Sequence, residues 1–153
     1  MIQRLVVNNP VLKATLNNIS RYQVDDDIDF ERSEYSTEKY FDIDELIQQF
    51  KVYNENFTYI FREGYCTFSI DQTQKLIRIT SIFIHQQYRC FGIFEIIEQT
   101  CKQYFDKIEI ISIQTKRFAE HLFNKGYRPL FDGSTSFVKV FINDNHINNS
   151  MMH

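Results

Sequence analysis

Few side chains in this chain have the type and spacing to do chemistry unaided. The serines, histidines and aspartates stand in no hydrolase-type motif, and the histidines and cysteines show no zinc-ligand spacing. Cys90 precedes a helix start, a setting that lowers a thiol's pKa, but it has no neighbouring base. His121 lies on a helix and could shuttle a proton, although a histidine on an exposed helix face more often does nothing chemical. His85 follows a strand, and Tyr88 and Tyr127 are proton donors in principle, yet residues at such points more often face solvent or pack. The stretch with the clearest promise is Arg89-Cys90-Phe91-Gly92-Ile93-Phe94. Before it runs the apolar, β-branched segment Leu76–Ile84; after it Ile93, Ile96, Ile97, Cys101, Tyr104 and Phe105 recur at helical spacing. A strand that feeds a helix through a short loop aims the helix's first N–H groups beyond the strand end, which suits an anion.

The elements that must hold this corner follow from the rest of the pattern. Ile2–Val7 reads as a strand, and Asn8-Asn9-Pro10 opens a helix over Pro10–Tyr22 with Leu12, Leu16 and Ile19 on its inner face. Asp25-Asp26-Asp27, Asp29 and Glu31 form an acidic loop. Thr37 or Asp42 caps a second helix that buries Leu46, Ile47 and Phe50. Phe57–Arg62 and Tyr65–Ile70 form a hairpin around Glu63-Gly64, and Leu76–Ile84 completes an antiparallel meander. The helix Ile93–Phe105 is followed by a strand at Ile108–Ile113 and a helix at Arg117–Asn124 that stops at Lys125-Gly126. Tyr127–Phe131 and Ser136–Ile142 flank Asp132-Gly133-Ser134 as a last hairpin, leaving residues 143–153 as a flexible tail. Of the four glycines, Gly64 and Gly133 fall in hairpin turns, Gly126 ends a helix, and Gly92 lies in the corner itself.

The totals fit one domain, over residues 1–142. Hydrophobic content of 43% and charged content of 24% are ordinary for a globular chain, and fifteen phenylalanines with nine tyrosines predict an aromatic core. A net charge of −3 argues against non-specific nucleic-acid binding. Cys66, Cys90 and Cys101 form no CxxC and are odd in number, which reads as reduced thiols in the cytoplasm. No apolar run is long enough to cross a membrane, and no secretory signal is evident.

The order strand, helix, helix, three-strand meander, helix, strand, helix, hairpin resembles the GNAT superfamily of N-acetyltransferases over Ile2–Ile142. The corner Arg89–Phe94 looks like the family's acyl-CoA loop, an Arg or Gln with Gly three residues on and Gly or Ala two further. Ala119-Glu120-His121-Leu122-Phe123-Asn124-Lys125-Gly126-Tyr127 is similar to its last-helix segment, and Phe137–Phe141 to its final strand. The resemblance implies an α/β (α+β) fold with a mixed, mostly antiparallel sheet of about six to seven strands and about four flanking helices. It implies acetyl-CoA as cosubstrate, with no metal, and transfer of its acetyl group to a primary amine on a small molecule or protein. Some relatives form homodimers.

On that resemblance, backbone around Arg89, Cys90, Phe91, Gly92, Ile93 and Phe94 holds the pyrophosphate. A Cβ on Gly92 would occupy the phosphate's space. The strands Leu76–Ile84 and Ile108–Ile113 splay apart, pantetheine pairs with backbone near Ile82, Phe83 and Ile84, and amides there polarise the thioester carbonyl. The acidic run Asp25–Glu31 falls on the acceptor side. Cys90 and Phe94 depart from the family's small residues. Relatives often use a carboxylate on the central strand as base, whereas Leu76–Ile84 has none; Arg78 and Thr80 are among its polar members. The usual tyrosine of the last helix is Phe123 or Leu122 here, so no residue matches the family's catalytic pair; His121, on the same helix, is the catalytic candidate because it could shuttle a proton. The alternative is a catalytically degenerate GNAT-fold protein that binds CoA or a protein partner.

Overall fold

The computed structural model describes residues 9–19, 39–53 and 55–141, with Arg89, Cys90 and Phe91 described by their backbone. The expected strand Ile2–Val7, the acidic run Asp25–Glu31, the Thr37 cap and the tail 143–153 lie outside the described residues. The helices are α1 (Pro10–Asn18), α2 (Ile43–Val52), α3 (Ile93–Tyr104) and α4 (Lys116–Asn124). The strands are β1 (Asn56–Phe61), β2 (Gly64–Asp71), β3 (Leu76–Ile84), β4 (Lys107–Ile110), β5 (Arg128–Pro129) and β6 (Phe137–Val140). They form one sheet in the order β1-β2-β3-β4-β6-β5, the mixed α/β arrangement that the resemblance implies. The chain divides into two compact units, Met1–Val24 with Glu109–Lys139 and Asp25–Ile108 with Val140–His153.

The second of these contains the antiparallel meander β1–β2–β3. Alternation puts Phe57, Tyr59 and Phe61 of β1 and Cys66, Phe68 and Ile70 of β2 on a buried face, with Thr58 and Thr67 on the other. Phe50 of α2 inserts edge-on among Phe57, Phe68 and Phe105, with ring centres 6.0, 5.3 and 5.5 Å away. Edge-to-face contacts of this kind add about 0.5–1.5 kcal/mol each beyond the area they bury. The Asp42 side chain caps α2 by accepting from Asp44 N and Glu45 N. The buried Tyr59 hydroxyl accepts from Asp42 N at 2.9 Å and donates to Asp42 O at 3.2 Å, tying the helix start to β1.

The hairpin differs from its expected form. Phe61 pairs with Gly64, so the turn is Arg62-Glu63 and Gly64 belongs to β2. A Cβ there would lie 1.9 Å from the Phe83 carbonyl oxygen, so the residue is glycine because β3 passes so close.

β3 is also less regular than its composition suggests. Cys66 pairs with Ile82 and Thr67 with Ser81, but Phe68 pairs with Ile79, which leaves Thr80 as an extra residue. This β-bulge changes the strand's phase. Ile77 and Ile79 before it and Ile82 and Ile84 after it oppose the core-facing residues of β2, while Ser81 and Phe83 oppose Thr67 and Tyr65 on the other face.

α3 is rotated from its expected face. Ile93, Ile97 and Cys101 are buried with Phe105 beyond the helix end, but Ile96 and Tyr104 are 40% and 38% exposed. Phe94, Glu98 and Thr100 are buried in their place. The Thr100 hydroxyl donates to Ile96 O at 2.8 Å, which satisfies it inside the helix.

In the first unit, Asn9 caps α1 by accepting from Val11 N and Leu12 N, with Pro10 at the first helical position. α1 ends at Asn18, short of the expected Tyr22, because Ile19 is extended. Thr15 is buried and donates to Ser134 O at 2.8 Å, and Asn18 donates to Gly133 O at 2.7 Å, fixing α1 to the β5–β6 loop. β4 stops at Ile110, not Ile113. Ser112 has a left-handed φ of 52°, and its N–H turns to Ser136 Oγ while Ile113 N donates to Thr135 O. β5 and β6 are likewise shorter than the expected Tyr127–Phe131 and Ser136–Ile142, and the loop between them spans 130–136. α4 ends in a Schellman motif, Gly126 N to Phe123 O and Tyr127 N to Leu122 O, with Leu122 and Tyr127 both buried.

Candidate functional site: the strand-to-helix corner

The corner lies within the second unit and is built from the end of β3, a turn, and the start of α3. Ile82, Phe83 and Ile84 pair with Cys66, Tyr65 and Gly64, and His85 N donates to Glu63 O at 2.8 Å, anchoring the strand's last residue. Phe83 is buried, with the His85 ring edge-on at 5.0 Å. The chain then takes a 3₁₀ helix over Gln86–Phe91 within the short loop expected there; Tyr88 N donates to His85 O in its first turn.

Gly92 ends this 3₁₀ helix and serves as the N-cap of α3, with φ 74° and ψ 22°. A Cβ built there meets nothing nearer than Glu95 Oε1 at 3.9 Å. Within the chain, then, its left-handed backbone and not crowding calls for glycine. The first intrahelical bond runs from Ile96 N to Gly92 O. No side chain caps α3, whereas Asn9, Asp42 and Thr115 cap α1, α2 and α4. Ile93 and Phe94 are 7% and 8% exposed, so both side chains are buried.

A helix start of this kind suits an anion, and among the described side chains Glu95 opposes one. Glu95 stands in the first turn of α3, its carboxylate on the Gly92 side. Alone it favours the helix start, because a negative charge there complements the dipole. A bound pyrophosphate would meet its repulsion. The Gly-x-x-Glu spacing of a capping box was the signal for it in the sequence.

The other expected groups fall elsewhere. His121 is exposed on α4 in the first unit, its ring nearly parallel to Phe118 with centres 6.4 Å apart. Leu122 and Phe123, the two readings of the family's tyrosine position, are both buried. Tyr127 is fully buried with Lys139 Nζ 5.6 Å from its ring centre. Cys66 and Cys101 are free and buried; burial pushes both thiols up, with Cys101 adding to the effect on Cys66 and Glu98 to that on Cys101. Neither is poised as a nucleophile. Among the described residues no three His, Cys, Asp or Glu side chains gather to hold a metal ion.

Sequence reasoning passed over a hydroxyl pair beside the bulge. Ser81 Oγ donates to the Tyr65 hydroxyl at 3.3 Å, and both residues are half-buried. The signal was the spacing of isoleucines in β3: two residues from Ile77 to Ile79, three to Ile82, two to Ile84. A strand that keeps one face cannot slip by three without a bulge.

A mixed sheet whose central strand enters a helix through such a corner is the arrangement that the sequence resemblance implies. No family model matches the chain, and no curated protein matches its sequence. Solved structures do. A protein from Exiguobacterium sp. 255-15 described as an acetyltransferase is similar at 15% identity and a TM-score of 0.41, over 58% of this chain and 61% of that one. Nourseothricin acetyltransferase is similar at 12% identity and a TM-score of 0.38, over 50% and 55%. A GNAT-family acetyltransferase from Staphylococcus aureus Mu50 is similar at 17% identity and a TM-score of 0.43, over 90% and 92%. The chain thus spans less than two thirds of the first two proteins. These are distant likenesses in outline.

Proposed function

We propose that this protein is an acyl-CoA-dependent N-acyltransferase that passes the acetyl group of acetyl-CoA to a primary amine. The observation that carries the reading is the corner itself: β3, a 3₁₀ turn, the left-handed Gly92, and a helix start that no side chain caps. The resemblance of Arg89–Phe94 to the family's acyl-CoA loop supplies the ligand. Backbone of Arg89–Phe94 would hold the pyrophosphate, and backbone of Ile82–Ile84 the pantetheine and the thioester carbonyl. The acceptor is an amine on a small molecule or a protein. Attack is direct, with neither Cys66 nor Cys101 in a state to form an acyl-enzyme. Two buried free thiols suit a reducing compartment, the cytoplasm. Among the described residues no helix is long and apolar enough to cross a membrane. Calorimetry with acetyl-CoA and with CoA tests the reading. Binding is expected for both and is expected to weaken in Gly92→Glu, which adds a charge and a strained backbone at one position. No heat at millimolar ligand, or binding indifferent to Gly92→Glu, refutes it.

A second reading has its own observation. β3 carries no carboxylate, and Leu122 and Phe123 are buried where a tyrosine is usual. A GNAT-fold protein that binds CoA or a protein partner without turnover accounts for both. Release of free thiol from acetyl-CoA with a panel of amines separates the two: release supports the enzyme, and binding without release supports the degenerate protein.

A further inference from the structure

We propose that Tyr65 is the proton donor to the departing CoA thiolate and that Ser81 positions it. The inference rests on the acyltransferase reading above and gives its missing acid a place on the meander.

Three observations lead to these residues. The bulge at Thr80 turns Ser81 onto the face of the sheet opposite the aromatic core, the face that Tyr65 also occupies. There Ser81 Oγ donates to the Tyr65 hydroxyl oxygen at 3.3 Å, so the phenol's own proton points elsewhere. Ser81 also directly precedes Ile82–Ile84, the residues proposed to line the pantetheine arm, and β3 leads on from there to the corner. Without the bulge Ser81 would face the core beside Ile79.

The direction of the hydrogen bond decides the chemistry. A hydroxyl that accepts a bond on its oxygen gives up its proton more readily, because the developing phenolate is already solvated. A phenol is only one to two pKa units or so above a thiol, close enough to protonate a thiolate as the bond to carbon breaks. The neutral amine nitrogen forms a bond to the carbonyl carbon, and the carbon–sulfur bond breaks. Tyr65 gives its proton to sulfur; Ser81 passes its proton to the Tyr65 oxygen and takes one from the acylated nitrogen. One amide and one thiol are formed, no net proton is released, and both side chains end as they began.

The test uses the full chain with acetyl-CoA and an amine found by the thiol-release screen. Tyr65→Phe is expected to lower kcat about 100-fold, the lower end for a lost general acid, with KM and the calorimetric Kd for acetyl-CoA unchanged. Ser81→Ala is expected to lower kcat less, and Ser81→Thr, which keeps the hydroxyl, to restore it. An S-acetyl aryl thioester, whose thiolate leaves without a proton, is expected to react equally with the unaltered protein and Tyr65→Phe. Undiminished kcat in Tyr65→Phe, an equal fall with both thioesters, or no rescue by Ser81→Thr overturns the assignment while leaving the acyltransferase reading in place. Failure of the unaltered protein to bind acetyl-CoA removes that reading first and this one with it.

Discussion

Two glycines at opposite ends of the β3–α3 corner are expected to fail for different reasons. At Gly92 the backbone is left-handed and the space beyond Cα is open, with Glu95 Oε1 at 3.9 Å the nearest atom to an added Cβ. Gly92→Ala therefore costs only the conformational term, about 1–2 kcal/mol for an L-residue held in that region. Gly92→Asn should recover much of this, because asparagine enters the left-handed region at lower cost. At Gly64 the backbone is extended and the cost is contact: the added Cβ falls 1.9 Å from the Phe83 carbonyl oxygen and 2.9 Å from its carbon. Ordinary contact requires about 1.5 Å more, which β2 and β3 can provide only by parting where Gly64 pairs with Ile84. Overpacking typically costs about 1–3 kcal/mol and occasionally more, and a clash with main chain belongs at the upper end because backbone yields least. For a chain of this size each kcal/mol lowers Tm by about 2–4 °C. Gly92→Ala should therefore melt about 2–8 °C below the unaltered protein, Gly92→Asn nearer to it, and Gly64→Ala lowest. Differential scanning calorimetry orders the three. A Gly64→Ala protein as stable as Gly92→Ala would refute the close approach of β3, and equal losses for Gly92→Ala and Gly92→Asn would refute the left-handed backbone.

Glu95→Gln removes the carboxylate from the corner's mouth and should tighten acetyl-CoA binding several-fold, given about 0.3–1 kcal/mol for a charge at a helix start; a weaker Kd by calorimetry would count against pyrophosphate there. The Cys66 and Cys101 thiols should stay silent to a disulfide reagent in the native protein and react on denaturation, since both are fully buried; rapid native labelling of either, located by mass spectrometry, would contradict the fold. Burial pushes the Tyr59 phenol up from its ordinary 10.0 to about 12, so it favours folding below pH 10, and this contribution is lost as pH rises through about 12. Denaturant midpoints should fall across that window, and less so in Tyr59→Phe. Asp42→Ala removes the cap of α2 and should cost about 1 kcal/mol, read from the same midpoints.

Most of the architecture was legible because the apolar spacing is strong. The meander, α3 and the Schellman end of α4 all stand on residues that alternate or recur as their elements require. What was not legible depends on polar atoms satisfied locally. Ile96 and Tyr104 read as part of the inner face of α3, yet they take partly exposed positions while Thr100 and Glu98 are buried. A hydroxyl bonded to the carbonyl four residues back is cheap to bury, which periodicity alone cannot reveal. β4 read three residues too long because Ile113 continues the apolar run, whereas the left-handed Ser112 ends it. At the corner, Gly92 was readable in type and place, and its left-handed backbone is one of the two reasons that favour glycine in such a loop. That Phe94 is buried was not readable, because a side chain's direction at a helix start follows from tertiary packing.

The bulge joins these two halves. An unbroken strand from Leu76 to Ile84 would keep Ile79 and Ser81 on one face and bury a hydroxyl among Phe57, Phe68 and Cys66. One extra residue at Thr80 sets the half-buried Ile82 opposite Cys66 and brings Ser81 out beside Tyr65. The insertion therefore serves packing and polarity together: it keeps the isoleucine face continuous and sets a hydrogen-bonded hydroxyl pair four residues ahead of the turn into α3. Deleting Thr80 tests that it is the looped-out residue, since no other side chain changes. The deletion should leave Phe68 opposite Ile79 and Thr67 opposite Ser81 with nothing between them, so the ladder becomes regular and Ser81 stays beside Tyr65. Exchange protection of the β2–β3 amides should then be kept on both sides of the deletion. Loss of protection confined to Ser81–Ile84 would show instead that the strand slips register there and that Thr80 is not the extra residue.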